Sequence, residues 1–398
     1  MLPQGWLRRP LGDIAQITSG GTPDRSTPSY WGGNIPWLTT GEIQFNTITD
    51  SAEKITEFGL KNSSAKLFPA GTLLMAMYGQ GKTRGQIAKL GIEAATNQAC
   101  AAILFDASND PNFYFQYLAS QYEELRELGN AGTQKNLNGG ILKRILVPVP
   151  PVREQRRIAH ILSTWDQAIA TAEHQLASSR RYAEVLRDAL LAGQRRFGDY
   201  APWQSKPLSE MIRESRVVGS GGDVAKKITV KLYGRGVVGK SDKRAGSEST
   251  RYYRRSAGQF IYSKLDFLNG AFGRIPAELD GYESTLDLPA FDFLPGVDPR
   301  WFLHYVSRET FYTGHLGLAN GGRKARRVNP NDLLRTSIPT PCLEEQARIA
   351  DAIDTALSLV TAQERLLNLM REEKSALMSQ LLTGKRRVRL PADEADPA

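Results

Sequence analysis

The chain has 398 residues, of which 41% are hydrophobic and 23% charged, with a formal net charge of +9. This length predicts about two to four domains, and the composition supplies real cores and excludes a mostly disordered chain. The only cysteines, Cys100 and Cys342, are isolated, and the four histidines form no H-x-x-x-H pair, which argues against a disulfide framework and a metal hydrolase. Two lone thiols suit a reducing cytoplasm. No stretch approaches 18 consecutive apolar residues, so no transmembrane helix is expected. Arg8 and Arg9 have no apolar run behind them, which argues against a secretory signal. Of the net +9, residues 197–338 carry +7 and residues 1–147 only +1. A basic excess is the electrostatic footprint of a polyanion binder, although an ordinary basic protein shows the same total.

Residues 1–147 form the first expected domain. Short β-branched and aromatic runs punctuated by Gly, Pro and Asn predict an α/β or mainly β body. Within it, Ala76-Met77-Tyr78-Gly79-Gln80-Gly81-Lys82-Thr83 matches a relaxed phosphate-loop pattern, with Ala in place of the leading Gly. A true phosphate loop opens a helix, and Arg84-Gly85-Gln86 is a poor helix start. The better reading is a glycine-hinged loop that brings Tyr78, Gln80, Lys82, Thr83 and Arg84 to DNA. Lys and Arg suit phosphate or guanine, Gln suits adenine and Thr serves either. Further on, Thr133, Gln134, Lys135 and Asn136 carry the same mix of groups after Gly129 and Gly132. A structural turn and a solvated loop are the competing readings of the two segments.

Residues 148–196 read as one long helix. Pro148, Pro150 and Pro151 force an extended entry, and Gly193 supplies the stop. Between them Ile158, Leu162, Trp165, Ile169, Ala172, Leu176, Ser179, Ala183, Leu186 and Leu190 recur at alternating spacings of four and three, a heptad seam. At 1.5 Å per residue the helix is about 60 Å long. A narrow apolar stripe of that length needs a partner helix.

Residues 197–338 form a second head. Tyr233 and Arg235 beside Gly234, then Arg251, Tyr252 and Arg254, set aromatics among cations, and Arg323, Lys324, Arg326 and Arg327 follow Gly321-Gly322. Such clusters usually contact phosphate, and a charged solvent face is the alternative. Residues 339–390 give a second long helix, and residues 391–398 an acidic tail expected to be disordered. Its seam runs Ile349, Ile353, Ala356, Val360, Gln363, Leu367, Met370, Lys374, Leu377 and Leu381, with Gln363 and Lys374 as polar interruptions.

An internal repeat organises this order. Shifted by 191 residues, Pro148–Arg196 falls on Pro339–Arg387 without a gap and with 17 identities in 49 positions, where composition alone gives roughly three. Identical pairs include Glu154-Gln155 with Glu345-Gln346, Gly193 with Gly384, and Arg195-Arg196 with Arg386-Arg387. The heads are far less alike and share a weak frame. Trp6-x-x-x-Pro10-Leu11 matches Trp203-x-x-x-Pro207-Leu208, and Ala70-Gly71 matches Ala257-Gly258. The expected fold is therefore α+β: two α/β domains in tandem duplication, separated by two long helices forming an antiparallel coiled coil.

On these motifs the chain resembles the DNA-specificity (S) subunits of type I restriction–modification systems. The resemblance is carried by Pro-x-Pro…Glu-Gln-x-x-Ile-Ala at each helix start and Leu-Leu-x-Gly-x-x-Arg at each helix end. Further support comes from Gly20-Gly21-Thr22-Pro23, Ile35-Pro36-Trp37 and Gly132-Thr133-Gln134-Lys135-Asn136 in the first head. The second head departs from it, lacking the Ile-Pro-Trp segment. The resemblance implies a bipartite, asymmetric target in double-stranded DNA, each head reading one half. It also implies two modification (methyltransferase) subunits and restriction/translocase subunits as partners, with no membrane. S-adenosylmethionine, ATP and Mg would be bound by those partners and no cofactor by this chain. No methyltransferase, cofactor-loop or helicase signature occurs, so a non-catalytic chain is expected. The alternative is a specificity subunit serving a fused endonuclease–methyltransferase chain.

Overall fold

The computed structural model describes residues 2–79, 82–128, 136–240, 246–314, 319–320 and 327–389, the side chains of 319 and 320 excepted. The expected acidic tail, 391–398, lies outside the described residues. The chain divides into two compact units, one of Met1–Glu173 with Arg365–Ala398 and one of His174–Glu364. Both divisions fall inside the long helices Val152–Leu191 and Leu343–Leu381. Each unit thus holds one head and part of each helix, whereas the sequence boundaries treat heads and helices as separate segments.

Local chemistry sets the helix limits. The first long helix begins directly after Pro150-Pro151, and its last turn closes on Gly193 at φ +70°. There the Gln194 N–H donates to the Ala189 carbonyl at 3.0 Å. A left-handed residue just past the last turn satisfies carbonyls that the helix leaves open. The second long helix stops at Gly384, φ +74°, where an added Cβ would sit 2.5 Å from the Pro3 side chain. Glycine is needed there for conformation and for close approach.

The seam is the buried face within each unit. In the first, Ile158, Leu162, Leu367 and Leu381 are buried, while Trp165, Ile169 and Leu377 are half-buried. Lys374, a polar interruption of the seam, reaches the Asp166 carboxylate, and Arg371 bonds Glu173 at 2.6 Å. Rising numbers on one helix meet falling numbers on the other, so the pair is antiparallel. In the second unit Leu176, Leu190, Ile349, Ile353 and Val360 are buried and Leu186 half-buried. Arg180 there bonds Glu364 at 2.7 Å, and the other interruption, Gln363, keeps a buried carbonyl oxygen without a hydrogen bond among the described residues.

The heads share a frame of mostly antiparallel strands. In the first unit a five-stranded sheet runs Ala15–Ser19, Cys100–Phe105, Leu73–Ala76, Ile87–Leu90 and Thr47–Ile48. In the second, Ile212–Ser215, Ala290–Phe293, Phe260–Tyr262 and Phe272–Arg274 repeat the order of its first four strands. Each head also pairs its opening strand with the strand that leads to the long helix: Leu7–Pro10 with Leu146–Val149, and Gln204–Pro207 with Ser337–Thr340. A helix with an Asp cap and Pro in its first turn packs on each frame, Pro111–Ser120 and Pro299–Val306. The Asp side chain accepts the exposed backbone N–H groups that open such a helix.

The repeated Glu-Gln pair ties head to helix twice. Glu154 is 3% exposed and accepts the Trp6 indole N–H at 3.1 Å and the Arg387 guanidinium. Glu345 is fully buried and accepts the Trp203 indole N–H at 3.0 Å and Arg196 at 2.8 Å. Hydrogen bonding to these carboxylates pushes both arginines above the ordinary arginine value. Each following Gln is a staple. Gln155 Oε1 accepts the Asp110 N–H at 2.7 Å while its Nε2 donates to the Pro150 carbonyl at 2.8 Å. Gln346 does the same with the Asp298 N–H at 2.9 Å and the Pro341 carbonyl at 2.9 Å.

Replacing Gln155 by Met keeps the volume and removes both bonds. A buried polar group left unpaired costs roughly 1–3 kcal/mol, and two are orphaned here. Urea unfolding of Gln155→Met should show a loss of that order; a loss below about 0.5 kcal/mol, the scale of a neutral surface change, would show that the staple is dispensable.

Candidate DNA interface

In the first unit the hairpin between Leu73–Ala76 and Ile87–Leu90 presents Tyr78, which is 40% exposed. Gly79 takes φ +140°, and an added Cβ there would meet the Thr83 side chain at 2.9 Å, so the turn can only close around glycine. Thr83 is half-buried in the turn, its carbonyl accepting the Gln86 N–H at 3.0 Å. Lys82 is exposed, and its carbonyl accepts the Tyr122 hydroxyl. Arg84 is half-buried and donates from Nη2 to the Arg126 carbonyl at 2.8 Å, tying the loop to the helix Tyr122–Glu127. Gln80, Thr133, Gln134 and Lys135 lie outside the described residues, and Asn136 is half-buried. The segment after Asn136 joins the same hairpin: the Leu137 N–H donates to the Met77 carbonyl at 3.1 Å. Asn136 and the Tyr78 hairpin therefore lie at the same end of the first head.

The second head reaches the equivalent end by another route. Its hairpin Ile228–Val230 with Val237–Gly239 carries Leu232-Tyr233-Gly234-Arg235 at the tip, all exposed. The tip is clamped to the turn that joins Phe260–Tyr262 to Phe272–Arg274, the counterpart of the Tyr78 turn. The Tyr233 N–H donates to the Asn269 carbonyl at 2.9 Å and the Gly234 N–H to the Gly270 carbonyl at 2.8 Å. Val328 binds that frame as Leu137 does in the first head, its N–H on the Lys264 carbonyl at 2.9 Å. Arg327, one residue earlier, is exposed and lies 3.8 Å from Asp287; both side chains are more than half exposed, so the pair holds it only weakly. Arg323, Lys324 and Arg326 lie outside the described residues.

Arg251, Tyr252 and Arg254 occupy a separate three-stranded sheet with Val218–Gly221 and Glu283–Ser284. Arg251 and Arg254 are exposed, and Tyr252 is half-buried with Lys227 Nζ 5.7 Å from its ring centre. The adjacent Arg255 is 1% exposed, its guanidinium on the Ser284 hydroxyl and the Ser215 carbonyl at 2.8 Å each. Burial lowers it to about 10. Burial likewise pushes the Cys100 thiol up to about 12, which makes it a poor nucleophile. Among the described residues no cluster of His, Cys, Asp or Glu could hold a metal ion, and no helix is long and apolar enough to cross a membrane.

Residues 3–178 match the family described as the type I restriction modification DNA specificity domain. The first head and the start of the first long helix are thus similar to a type I restriction–modification DNA-specificity domain. The MjaIX specificity subunit of Methanocaldococcus jannaschii is 29% identical over 182 residues, 44% of this chain and 41% of that relative, so the chain matches less than half of that subunit's length. The putative MjaX specificity subunit of the same organism is 22% identical over 432 aligned positions, covering 98% of this chain and 95% of the relative. The S subunit crystal structure from M. genitalium shares the fold, with a TM-score of 0.55 at 13% identity over 95% of this chain and 96% of that one. The resemblance read from the repeat motifs therefore holds, as does the α+β fold with its antiparallel helix pair. These relatives are named as specificity subunits, in agreement with the expected non-catalytic role of a specificity-domain chain.

Sequence reasoning saw Glu154-Gln155 and its copy as identities and gave them no contact. The signal was present, because an acidic residue at each helix start and an arginine past each helix end recur together. If Lys82 and Arg235 contact phosphate, Lys82→Ala and Arg235→Ala should each flatten the slope of log K against log salt on duplex DNA by about 0.9. An unchanged slope would remove that cation from the DNA backbone.

Proposed function

We propose that the chain is the sequence-reading subunit of a type I restriction–modification complex. Each head would read one half of a bipartite, asymmetric site in double-stranded DNA. The observation that carries this reading is the two-fold use of one frame. Candidate loops converge on the equivalent end of each head, yet Tyr78, Lys82 and Asn136 stand in one where Tyr233, Arg235 and Arg327 stand in the other. Equivalent scaffolds with unlike reading groups imply unlike half-sites. Phosphate contacts by the cations would supply affinity, and contacts to base edges the sequence preference.

The chemistry would come from partners: two modification subunits methylating adenine with S-adenosylmethionine, and restriction subunits using ATP and Mg. The helices offer such partners a surface. Large apolar side chains stand exposed one position ahead of seam residues, Leu366 and Leu369 in the first unit and Tyr182, Val185 and Leu359 in the second. Apolar side chains recurring beside a buried seam mark a protein-binding face more than a solvated one. In such a complex the chain would work in the cytoplasm.

Leu366→Lys with Leu369→Lys should abolish co-purification of the modification subunit while leaving the urea midpoint nearly unchanged; intact assembly would place the partner elsewhere. The function itself is tested by mapping methylated adenines in host DNA with the locus intact and deleted. One split motif with unlike halves should vanish on deletion, and an unchanged methylation pattern would refute the reading.

A further inference from the structure

The four-residue pattern Tyr-Gly-x-Gly occurs in each head, as Tyr78-Gly79-Gln80-Gly81 and Tyr233-Gly234-Arg235-Gly236. The two copies are not counterparts in the frame. The first lies in the hairpin loop that follows Leu73–Ala76, whereas the second tips an added hairpin, Ile228–Val230 with Val237–Gly239, absent from the shared strand order. That added hairpin nevertheless docks on the turn equivalent to the first loop, through the Tyr233 and Gly234 backbone bonds. One short pattern thus arrives at one place by two routes.

Packing within the head does not explain the rings. Tyr233 is 69% exposed and Tyr78 40%, and neither belongs to a core cluster. Tyr233 also holds φ +58°, a left-handed conformation that bulky residues rarely adopt. It is kept there by the two clamp bonds and by glycine at 270, where a Cβ would come 3.2 Å from the Tyr233 Cα. Strain held in place to display an apolar ring in water points to a ligand. Arg235 follows Tyr233 by two residues and Lys82 follows Tyr78 by four, and both cations are exposed. An exposed aromatic with a cation nearby in the chain suits contact with bases flanked by phosphates.

We infer that Tyr78 and Tyr233 are matched aromatic contacts, each packing its ring against bases of one half-site. This rests on the DNA-reading function proposed above. A rigid, preplaced ring loses little freedom on binding, so each contributes to affinity and to the choice of a deformable base step.

The test uses the full chain with its co-purified methyltransferase and three duplexes: the mapped target, and that target with either half scrambled. Tyr233→Asn is the informative change, because asparagine tolerates the left-handed backbone; Tyr78→Ala serves in the first head. Each should weaken binding to the intact target about tenfold or more, the scale of a lost base–aromatic contact. Each should also leave binding unchanged on one of the two scrambled duplexes, a different one for each variant. Tyr233→Phe and Tyr78→Phe should bind nearly as the parent does. Equal loss on all three duplexes, or no loss on any, overturns the inference, as does loss of the methyltransferase with DNA affinity retained. A parent complex that does not prefer the intact target fails the underlying reading instead, and the inference falls with it.

Discussion

One buried carboxylate at the start of each long helix holds the rest together. Glu154 collects the Trp6 indole from the start of the first head and the Arg387 guanidinium from beyond the second helix. Three segments distant in sequence therefore close on two oxygen atoms. A carboxylate taken out of water is costly unless its lone pairs are met, and removing one partner of a buried pair exposes that cost. The indole N–H and the guanidinium meet it here, and each finds in the glutamate the acceptor that its own placement requires. Glu345 repeats the arrangement with Trp203 and Arg196. In both units the arginine arrives from the end of one long helix and the glutamate from the start of the other, so the clamp only forms when the helices lie antiparallel.

That dependence explains why the first unit contains both ends of the chain. Arg365–Ala398 groups with Met1–Glu173 because Leu381 and Leu382 complete a core begun by Trp6, Ile158 and Leu162, and Arg387 bonds Glu154. The second unit needs no such return, since Arg196 and Trp203 are only a few residues apart and both meet Glu345. The same chemistry thus draws its indole and guanidinium from one short stretch in one half of the duplication and from opposite ends of the unit's sequence in the other.

The helices were legible in the sequence because periodicity is a property of spacing, and spacing survives without knowledge of contacts. Pro150-Pro151, Gly193 and Gly384 mark limits for the same reason: each acts through its own backbone. Side chains whose role depends on a distant partner were harder to read. Gln155 looked like one repeated letter until Asp110 appeared opposite its carbonyl oxygen. Arg84 reads as a cation offered to DNA, and nothing in its spacing shows that its Nη2 also donates to the Arg126 carbonyl. Arg255 stood in the same basic, aromatic run as Arg251 and Arg254 and proved to be a core residue. Sequence counts cations equally, whereas folding separates those with partners from those left facing water.

The heads show what such a scaffold leaves free. Their frames agree strand for strand through four strands, with the opening ribbon and the capped helix in the same places. Around that frame the connections differ in length and in source. The first head places Tyr78 from a loop of the frame itself; the second imports Tyr233 on an extra hairpin and fastens it to the counterpart of that loop with backbone bonds. Backbone bonds carry no side-chain identity, so the reading groups at the tip can change without loosening the attachment. The Glu-Gln anchor and the docked turn therefore play complementary parts. One fixes where a head must sit on its helix and permits almost no substitution, while the other fixes where reading groups must arrive and leaves open which segment brings them.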